Sequence, residues 1–399
     1  MRPDNHHVVY CRQIRWPFYQ VLRGTYPVSC ISLRLRAFAS RFFPLCATFG
    51  TITHALRFCH FWADMVTNSN NSSAGPLPGA QTSKRMNRIE VTAAMLAAMA
   101  FVIARAAFAL EPAQIGNFEV TEVAPGNYVH YGSFQERSPE NLGDNANIGF
   151  IVGERCVLVV DAGGSLPVGL ALKKAVRRVT PVPICHVVLT HVHPDHFFGA
   201  AAFLDDKPQF IAHRNYPRQL AARARPYLNY LRRDLGEFAE GSDIVQPTLL
   251  VDGRLELDLG GRSVLVQGWP PAHTDDDLTV FDRATRTFWL ADLLFVDHTP
   301  VIDATITGFL AVIEDLRRIE ADHYVAGHGR SRTPWPQVLD PQRRYFTVIL
   351  DETRAAIRNR KTIQQATEEV GLSEEKNWAA FDAFHRRNVT TAYTELEWE

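Results

Sequence analysis

Apolar and polar positions follow two rhythms between residues 118 and 370, a period of two in short runs and a period near 3.6 in longer ones. Phe118–Tyr131 alternates about a turn at Pro125-Gly126-Asn127 and reads as a hairpin. Ile148–Val152 and Cys156–Val160 flank Gly153-Glu154-Arg155 as a second hairpin, which runs into Asp161-Ala162-Gly163-Gly164. Leu166–Val179 is an amphipathic helix with Lys173, Lys174, Arg177 and Arg178 outward. Ile184 to Thr190 is short, apolar and β-branched, a buried strand, and a helix is expected from Phe197 through Phe203. Pro217–Ala239 is helical apart from Pro226, with charges interleaved among Tyr227, Tyr230 and Phe238. Thr248–Val266 gives short strands around Asp252-Gly253 and Gly260-Gly261, and Leu278–Phe281 with Phe288–Leu290 forms another hairpin. Helices follow at Phe309–Glu320, Gln342–Arg358 and Ile363–Val370. This alternation places the chain in the α/β class, and no repeat at solenoid periods is visible.

The rhythm fails over residues 1–85, which mix Arg, Phe, Cys and Pro and end in a Ser/Asn/Gly/Pro stretch from Thr67 to Ser83. They read as a non-native or disordered extension. Residues 86–109 read as a signal peptide: a basic start in Lys84-Arg85-Met86-Asn87-Arg88, an apolar run from Val91 to Ala104, and Ala107-Phe108-Ala109 as a small-x-small cleavage site. The run is short of the roughly 20 apolar residues of a membrane span, so cleavage is expected rather than anchoring. Translation is then expected to start at Met86, with residues 110–399 forming the mature domain in the periplasm or outside the cell.

Charge sharpens this division. Residues 1–85 hold 10 Lys/Arg against 2 Asp/Glu, whereas residues 110–399 hold 30 against 40, a net −10. A body so acidic argues against a nucleic-acid partner, because no basic excess is present to neutralise phosphates. Four cysteines, Cys11, Cys30, Cys46 and Cys59, lie in the extension at spacings that match no zinc template. The mature part keeps Cys156 and Cys185, which could pair in an oxidising compartment but are expected as two buried free thiols.

The chemistry concentrates in His191-Val192-His193-Pro194-Asp195-His196, three imidazoles and a carboxylate in six positions directly after a strand. Imidazole nitrogens and carboxylate oxygens are the usual zinc ligands of catalytic sites, and loops after strands carry the chemistry of α/β proteins. Further candidates stand near strand ends: His273 in Ala272-His273-Thr274, Asp292 in Leu290-Ala291-Asp292, and His328 in Gly327-His328-Gly329. Taken singly each would be an ordinary core or surface residue; the order in which they follow the first cluster is what reverses that reading.

On these residues the chain resembles the metallo-β-lactamase superfamily across residues 115–335. That family's pattern is HxHxDH, then a His in a GHT-like turn, an Asp after a strand, and a final GH. The resemblance implies a four-layer αββα fold. It implies one metal held by His191, His193 and His273, a second held by Asp195, His196 and His328, and Asp292 bridging the two. Asp161 matches the family's Asp after an early hairpin, either as an acceptor fixing the imidazole of His191 or His193 or as a plain turn residue. Two departures stand out: Asp275-Asp276 where the family's turn carries Pro-Gly, and Ala326 where Pro is common. The Ala272-His273-Thr274-Asp275 and Leu290-Ala291-Asp292-Leu293 segments, with Arg387-Asn388-Val389 and Glu395 to Glu399, look like the quinoprotein relay system zinc metallohydrolases. Those are found alongside periplasmic quinoprotein dehydrogenases, which makes such a system the expected functional partner.

The function expected from this resemblance is hydrolysis of an ester, thioester or amide-type bond of a small molecule, with β-lactam cleavage inside the class. Two zinc ions about 3.5–4 Å apart clamp a water and lower its pKa from about 15.7 to about 7. Asp195 or Asp292 then orients the hydroxide and takes its proton. Two other classes stay open, a mononuclear iron enzyme oxidising sulfur compounds and an accessory protein of a quinoprotein dehydrogenase. Around the site, His213 and His298 are candidates for pocket contacts, and Tyr227 and Tyr230 read either as a lid or as ordinary helix surface. Asp275, Asp276 and Asp277 either cap a turn or select against anions. His130, His186, His323 and His385 receive no role.

Overall fold

The computed structural model describes residue 115 and residues 118–399. The extension, the signal peptide and the four early cysteines lie outside the described residues. Among the described residues no helix is long and apolar enough to cross a membrane.

Seven strands build the first sheet in sequential order: β1 (Thr121–Ala124), β2 (Asn127–His130), β3 (Ile148–Val152), β4 (Val157–Val160), β5 (Ile184–Val188), β6 (Gln209–His213) and β7 (Leu249–Val251). The hairpin strands pair antiparallel up to β4, and β4 through β7 run parallel. The second sheet has the order β12-β11-β10-β9-β8, from β8 (Arg254–Asp258), β9 (Ser263–Gly268), β10 (Leu278–Asp282), β11 (Thr287–Phe295) and β12 (His323–His328), with only β11 and β12 parallel.

Three separate cores turn these sheets into four layers. Between the sheets lie Val129, Ile151, Leu158, Val188 and Ile211 from one side and Val264, Val266, Val280 and Trp289 from the other. The opposite face of the first sheet buries Phe150, Val159 and Val187 against α1 (Leu166–Val179) and α3 (Tyr216–Leu235). The outer face of the second sheet buries Phe288 and Leu290 against α4 (Ile306–Leu316), α5 (Asp340–Arg358) and α7 (Phe381–Leu396). Strands such as β4 and β11, buried at every position, read as apolar runs because they are covered on both faces. The fold is the αββα arrangement that the sequence led us to expect.

Local differences have local causes. The helix expected from Phe197 is instead one turn of α-helix, α2 (Pro194–Phe197), continued as a 3₁₀ helix, Phe198–Asp206. Proline at the first position of α2 suits a turn whose first amides lack partners anyway. Helix α3 runs through Pro226, since Pro226 and Ala222 are both exposed and the carbonyl that loses its amide donor has water at hand. The helix expected from Phe309 begins at Ile306, where the Thr305 side chain caps it by accepting from the Gly308 amide. Helix α7 was not foreseen as an element; it follows α6 (Ile363–Glu369) and buries Phe381, His385, Val389, Ala392 and Leu396 at helical spacing. His385, in this helix, stacks on Phe381 at 4.0 Å and donates to the Val370 carbonyl, and burial lowers its pKa.

The cysteines also differ from expectation. Cys156 and Cys185 form a disulfide between neighbouring strands, with Cα atoms 5.6 Å apart, and both are partly exposed rather than buried. The parallel register that sets Val157 opposite Ile184 brings them together, a proximity that sequence spacing does not reveal.

Candidate metal centre

Loops at one end of the two sheets deliver the ligand candidates. After β5 the chain leaves through Leu189 and Thr190, so that His191 and His193 precede α2 while Asp195 and His196 sit within it. His273 lies in a turn that Asp277 holds, accepting from the amide of Thr274 at 2.9 Å and from its hydroxyl at 2.6 Å. Asp292 lies within β11, after Ala291 at φ +47°, where the register against β12 shifts. A bulge of this kind turns one side chain off the alternation of the strand. Opposite it, a Cβ on Gly327 would stand 2.0 Å from Asp292 Oδ1, so only glycine fits before His328.

All seven predicted residues converge. Ligand atoms of His191, His193, His273 and Asp292 lie within 4.8 Å of one another, and so do those of Asp195, His196 and His328. Asp292 sits at the middle, 3.1 Å from His196 Nε2, 3.3 Å from His273 Nε2, 3.4 Å from His328 Nε2 and 3.6 Å from His191 Nε2. Asp195 lies 3.4 Å from His328 Nε2.

Each imidazole turns its N–H outward and its lone pair inward. His273 Nδ1 donates to the Val301 carbonyl and His328 Nδ1 to the Asn145 carbonyl, both at 2.8 Å. His196 Nδ1 donates to Asp161 Oδ2 at 2.8 Å, and His193 Nε2 to Asp303 Oδ2 at 3.3 Å. Thr190 Oγ1 donates to Asp161 and therefore accepts from His191 Nδ1 at 3.0 Å. Outer partners of this kind fix the tautomer and orientation of metal-binding histidines. The inward atoms are left without protein partners: His191 Nε2, His196 Nε2 and Asp292 Oδ1 are buried and bonded to nothing. His193 Nδ1 and His273 Nε2 face each other at 2.8 Å, two lone pairs that a cation between them would reconcile.

The two clusters differ in charge state: burial lowers His196 and His328, but Asp292, with Asp161 and Asp195 beside His196, outweighs it and raises both, His196 well above the usual imidazole value. Burial, reinforced by His196, holds the His191 pKa well below the usual value, and burial brings that of His273 down to about 4, so both rings stay in the neutral form that coordinates metals. Burial alone would raise Asp292, but His196, His328 and His191 outweigh it and keep the carboxyl ionised. These residues fit a pair of cations.

A cavity of about 540 Å³ opens over the clusters, floored by His193, Asp195, His273, Asp292 and His328. One wall is α3, which contributes Arg223, Tyr227, Tyr230, Arg233 and Asp234; α7 adds Phe384 and Arg387.

Residues 142–365 match the family model of the metallo-beta-lactamase superfamily. The chain belongs to that superfamily. No curated protein matches it significantly in sequence. Among solved structures it is similar to the stereoselective inverting sec-alkylsulfatase Pisa1 from Pseudomonas sp., with 16% identity and a TM-score of 0.54, over 70% of this chain and 50% of the sulfatase. The match thus spans about half the length of that relative. A metallo-beta-lactamase from Pontibacter korlensis aligns at 16% identity and a TM-score of 0.45, over 58% of this chain and 99% of that one. At these identities the likeness concerns the fold.

The superfamily frame sorts the remaining candidates. Asp161 serves His196 directly and His191 only through Thr190, and it does not touch His193. It adopts φ +57°, a left-handed conformation uncommon outside glycine, at the site where strain is tolerated. His213 accepts from the Asn215 amide and packs under Gly268, away from the cavity lining. His298 does line the cavity, stacked on His328 at 5.2 Å. Asp276 and Asp277 accept from Thr274, and Asp275 pairs with Gln219 and Arg218, so all three hold the turn and none lines the cavity. Tyr227 and Tyr230 belong to the wall.

Sequence reasoning missed Asp303, Arg137 and Arg223, and read Arg387 within a motif without placing it at the cavity. A signal for the helical ones existed: Arg223, Tyr227, Tyr230 and Asp234 recur at helical spacing and form one stripe of α3. Replacing Asp161 with Asn puts an amide donor against the N–H of His196, which favours the wrong tautomer. The expected result is a second-cluster metal affinity about 10–100-fold weaker, read by competition against a chelator; wild-type affinity would contradict the role.

Proposed function

We propose that the chain is an exported dinuclear zinc hydrolase that attacks an ester, thioester or amide-type bond of a small molecule, β-lactams included in the class. The support that carries the reading is the ring of inward-facing, unpartnered ligand atoms around Asp292. His191, His193 and His273 would hold one ion, Asp195, His196 and His328 the other, and Asp292 both. When bound, the zinc pair supplies hydroxide at neutral pH and polarises the substrate oxygen. The chain's own groups do the rest. Asp195 opens onto the cavity and is ionised: burial raises its pKa, but His196 and His328 outweigh that and lower it, so it can accept the proton of the attacking water. Tyr227, Phe295 and Phe384 line the approach and limit the water that reaches the reacting atoms.

Export rests on the signal peptide read from Met86 and is supported by the Cys156–Cys185 disulfide, a bond that persists in oxidising compartments. Membership of the quinoprotein relay subgroup, with a periplasmic quinoprotein dehydrogenase as functional partner, rests on the sequence motifs. Two of these acquire structural reasons. Asn388 ties α7 to the loop after β11 by donating to the Pro300 carbonyl and accepting from the Ile302 amide. Glu395 accepts from the Ile306 and Thr307 amides at the start of α4.

The full second cluster speaks against a single-iron oxidase. Elemental analysis of the dialysed protein should give two zinc per chain, and His193→Ala should lower that number and remove nearly all turnover. One iron per chain with oxygen consumption would overturn the reading.

A further inference from the structure

Two carboxylates on the cavity wall each hold two guanidiniums. Asp303 accepts from Arg223 Nη2 at 3.1 Å through Oδ2 and from Arg387 Nη2 through Oδ1. Asp234 accepts from Arg137 Nη2 at 3.0 Å and from Arg233 Nε at 2.6 Å. Either trio carries one more positive than negative charge. Asp195 and Asp292 in the ligand clusters aside, the lining sets four guanidiniums against Glu136, Asp234 and Asp303.

A guanidinium offers five donors and no acceptor. Arg387 commits one to Asp303, and Arg223 commits one to Asp303 and one to Gln219, so most of their N–H groups have no protein partner, and both residues line the cavity. Holding the fold together does not account for the arrangement. Arg387 is half-exposed, where an ion pair contributes about 0–1 kcal/mol. Helix α7 is already docked by Asn388, by Glu395 and by its apolar face. The carboxylate they share is itself anchored over the site, since the Asp303 amide donates to the His273 carbonyl at 2.8 Å.

We propose that Arg223 and Arg387, aligned by Asp303, form a clamp for a carboxylate on the substrate, whose apolar body lies against Tyr227 and Phe384. The planar fork of each guanidinium matches a carboxylate in two-point geometry, and a net positive wall attracts it. This deepens the hydrolase reading, on which it rests for the reaction, by naming the substrate class: small organic monocarboxylates. Of the two readings of the three-aspartate turn, the clamp is compatible with turn capping and not with selection against anions, since none of the three lines the cavity. Arg387 and Phe384 lie outside the residues 142–365 matched by the superfamily model, whereas Arg223 and Tyr227 lie within them.

The test is titration calorimetry at low ionic strength on the purified, metal-loaded protein with benzoate and its uncharged counterpart benzamide. Benzoate should bind the wild type at least about tenfold more tightly, as expected for hydrogen bonds to charged groups. Arg387→Gln and Arg223→Gln should each weaken benzoate by about tenfold and leave benzamide unchanged, which also reports an intact cavity; Arg387→Lys should fall between. Equal affinity for the two ligands in the wild type, unaltered benzoate affinity in Arg387→Gln, or a parallel loss of both ligands would overturn the clamp. Binding and turnover separate the two proposals. Discrimination without hydrolysis of any ester or lactam sinks the hydrolase and keeps the clamp, whereas hydrolysis without discrimination does the reverse.

Discussion

Replacing Asp292 with alanine should leave a folded protein that retains neither metal and has lost turnover by more than about a hundredfold. The carboxylate faces the inward nitrogens of His191, His196, His273 and His328, all within 3.6 Å. Its loss removes the one carboxylate that both sets share, leaving the first with three imidazoles and no anion and the second with Asp195 alone. Losing an outer hydrogen-bond partner costs about 10–100-fold in affinity or activity, and losing the central ligand exceeds that range. The fold should survive because the ion-pair partners of the side chain are the ligand histidines themselves, and truncation creates no clash in front of Gly327. Asp292→Asn, which keeps the shape and discards the charge, should behave the same way. Metal content after dialysis, circular dichroism and steady-state rates decide the matter; two retained ions at wild-type rates would refute the bridging role.

The second large effect is on stability. Cys156 and Cys185 are 29 residues apart in sequence and close a loop through α1. Loop-closure entropy for such a span gives about 3.5 kcal/mol, a model-dependent figure. At about 2–4 °C per kcal/mol for a domain of this size, the Cys156→Ala/Cys185→Ala double variant should melt roughly 7–14 °C lower. Metal content should not change, because the bond joins the beginnings of β4 and β5 while Asp161 and His191 follow their ends. A reductant should reproduce the shift in the wild type. A melting temperature indifferent to both treatments would show that the bond contributes nothing.

What the sequence disclosed and what it concealed follow from distance along the chain. His191, His193, Asp195 and His196 announce themselves because one short loop crowds them together, and His273, Asp292 and His328 follow them in a fixed order. The layers were legible because β4 and β11 are apolar at every position while the helices keep one face polar. Asp303 was not legible. It is an ordinary acidic residue whose meaning comes from His193, 110 residues earlier, and from Arg223 and Arg387, 80 and 84 residues away. The disulfide was hidden for the same reason, since register sets its geometry. Helix α7 was different: its apolar spacing at Phe381, His385, Val389, Ala392 and Leu396 stands in the sequence, and Arg387-Asn388-Val389 lies within it, with Asn388 and Val389 buried and Arg387 exposed.

The ligand set is divided between the two sheets. His191, His193, Asp195 and His196 belong to the half led by β5, whereas His273, Asp292 and His328 come with β9 through β12. Neither half alone offers either ion its complete cage. If the proposed ions bind there, tight loading would follow the meeting of the halves along their shared apolar seam. A loaded centre would then act as a rivet, and ion retention would record that assembly finished correctly.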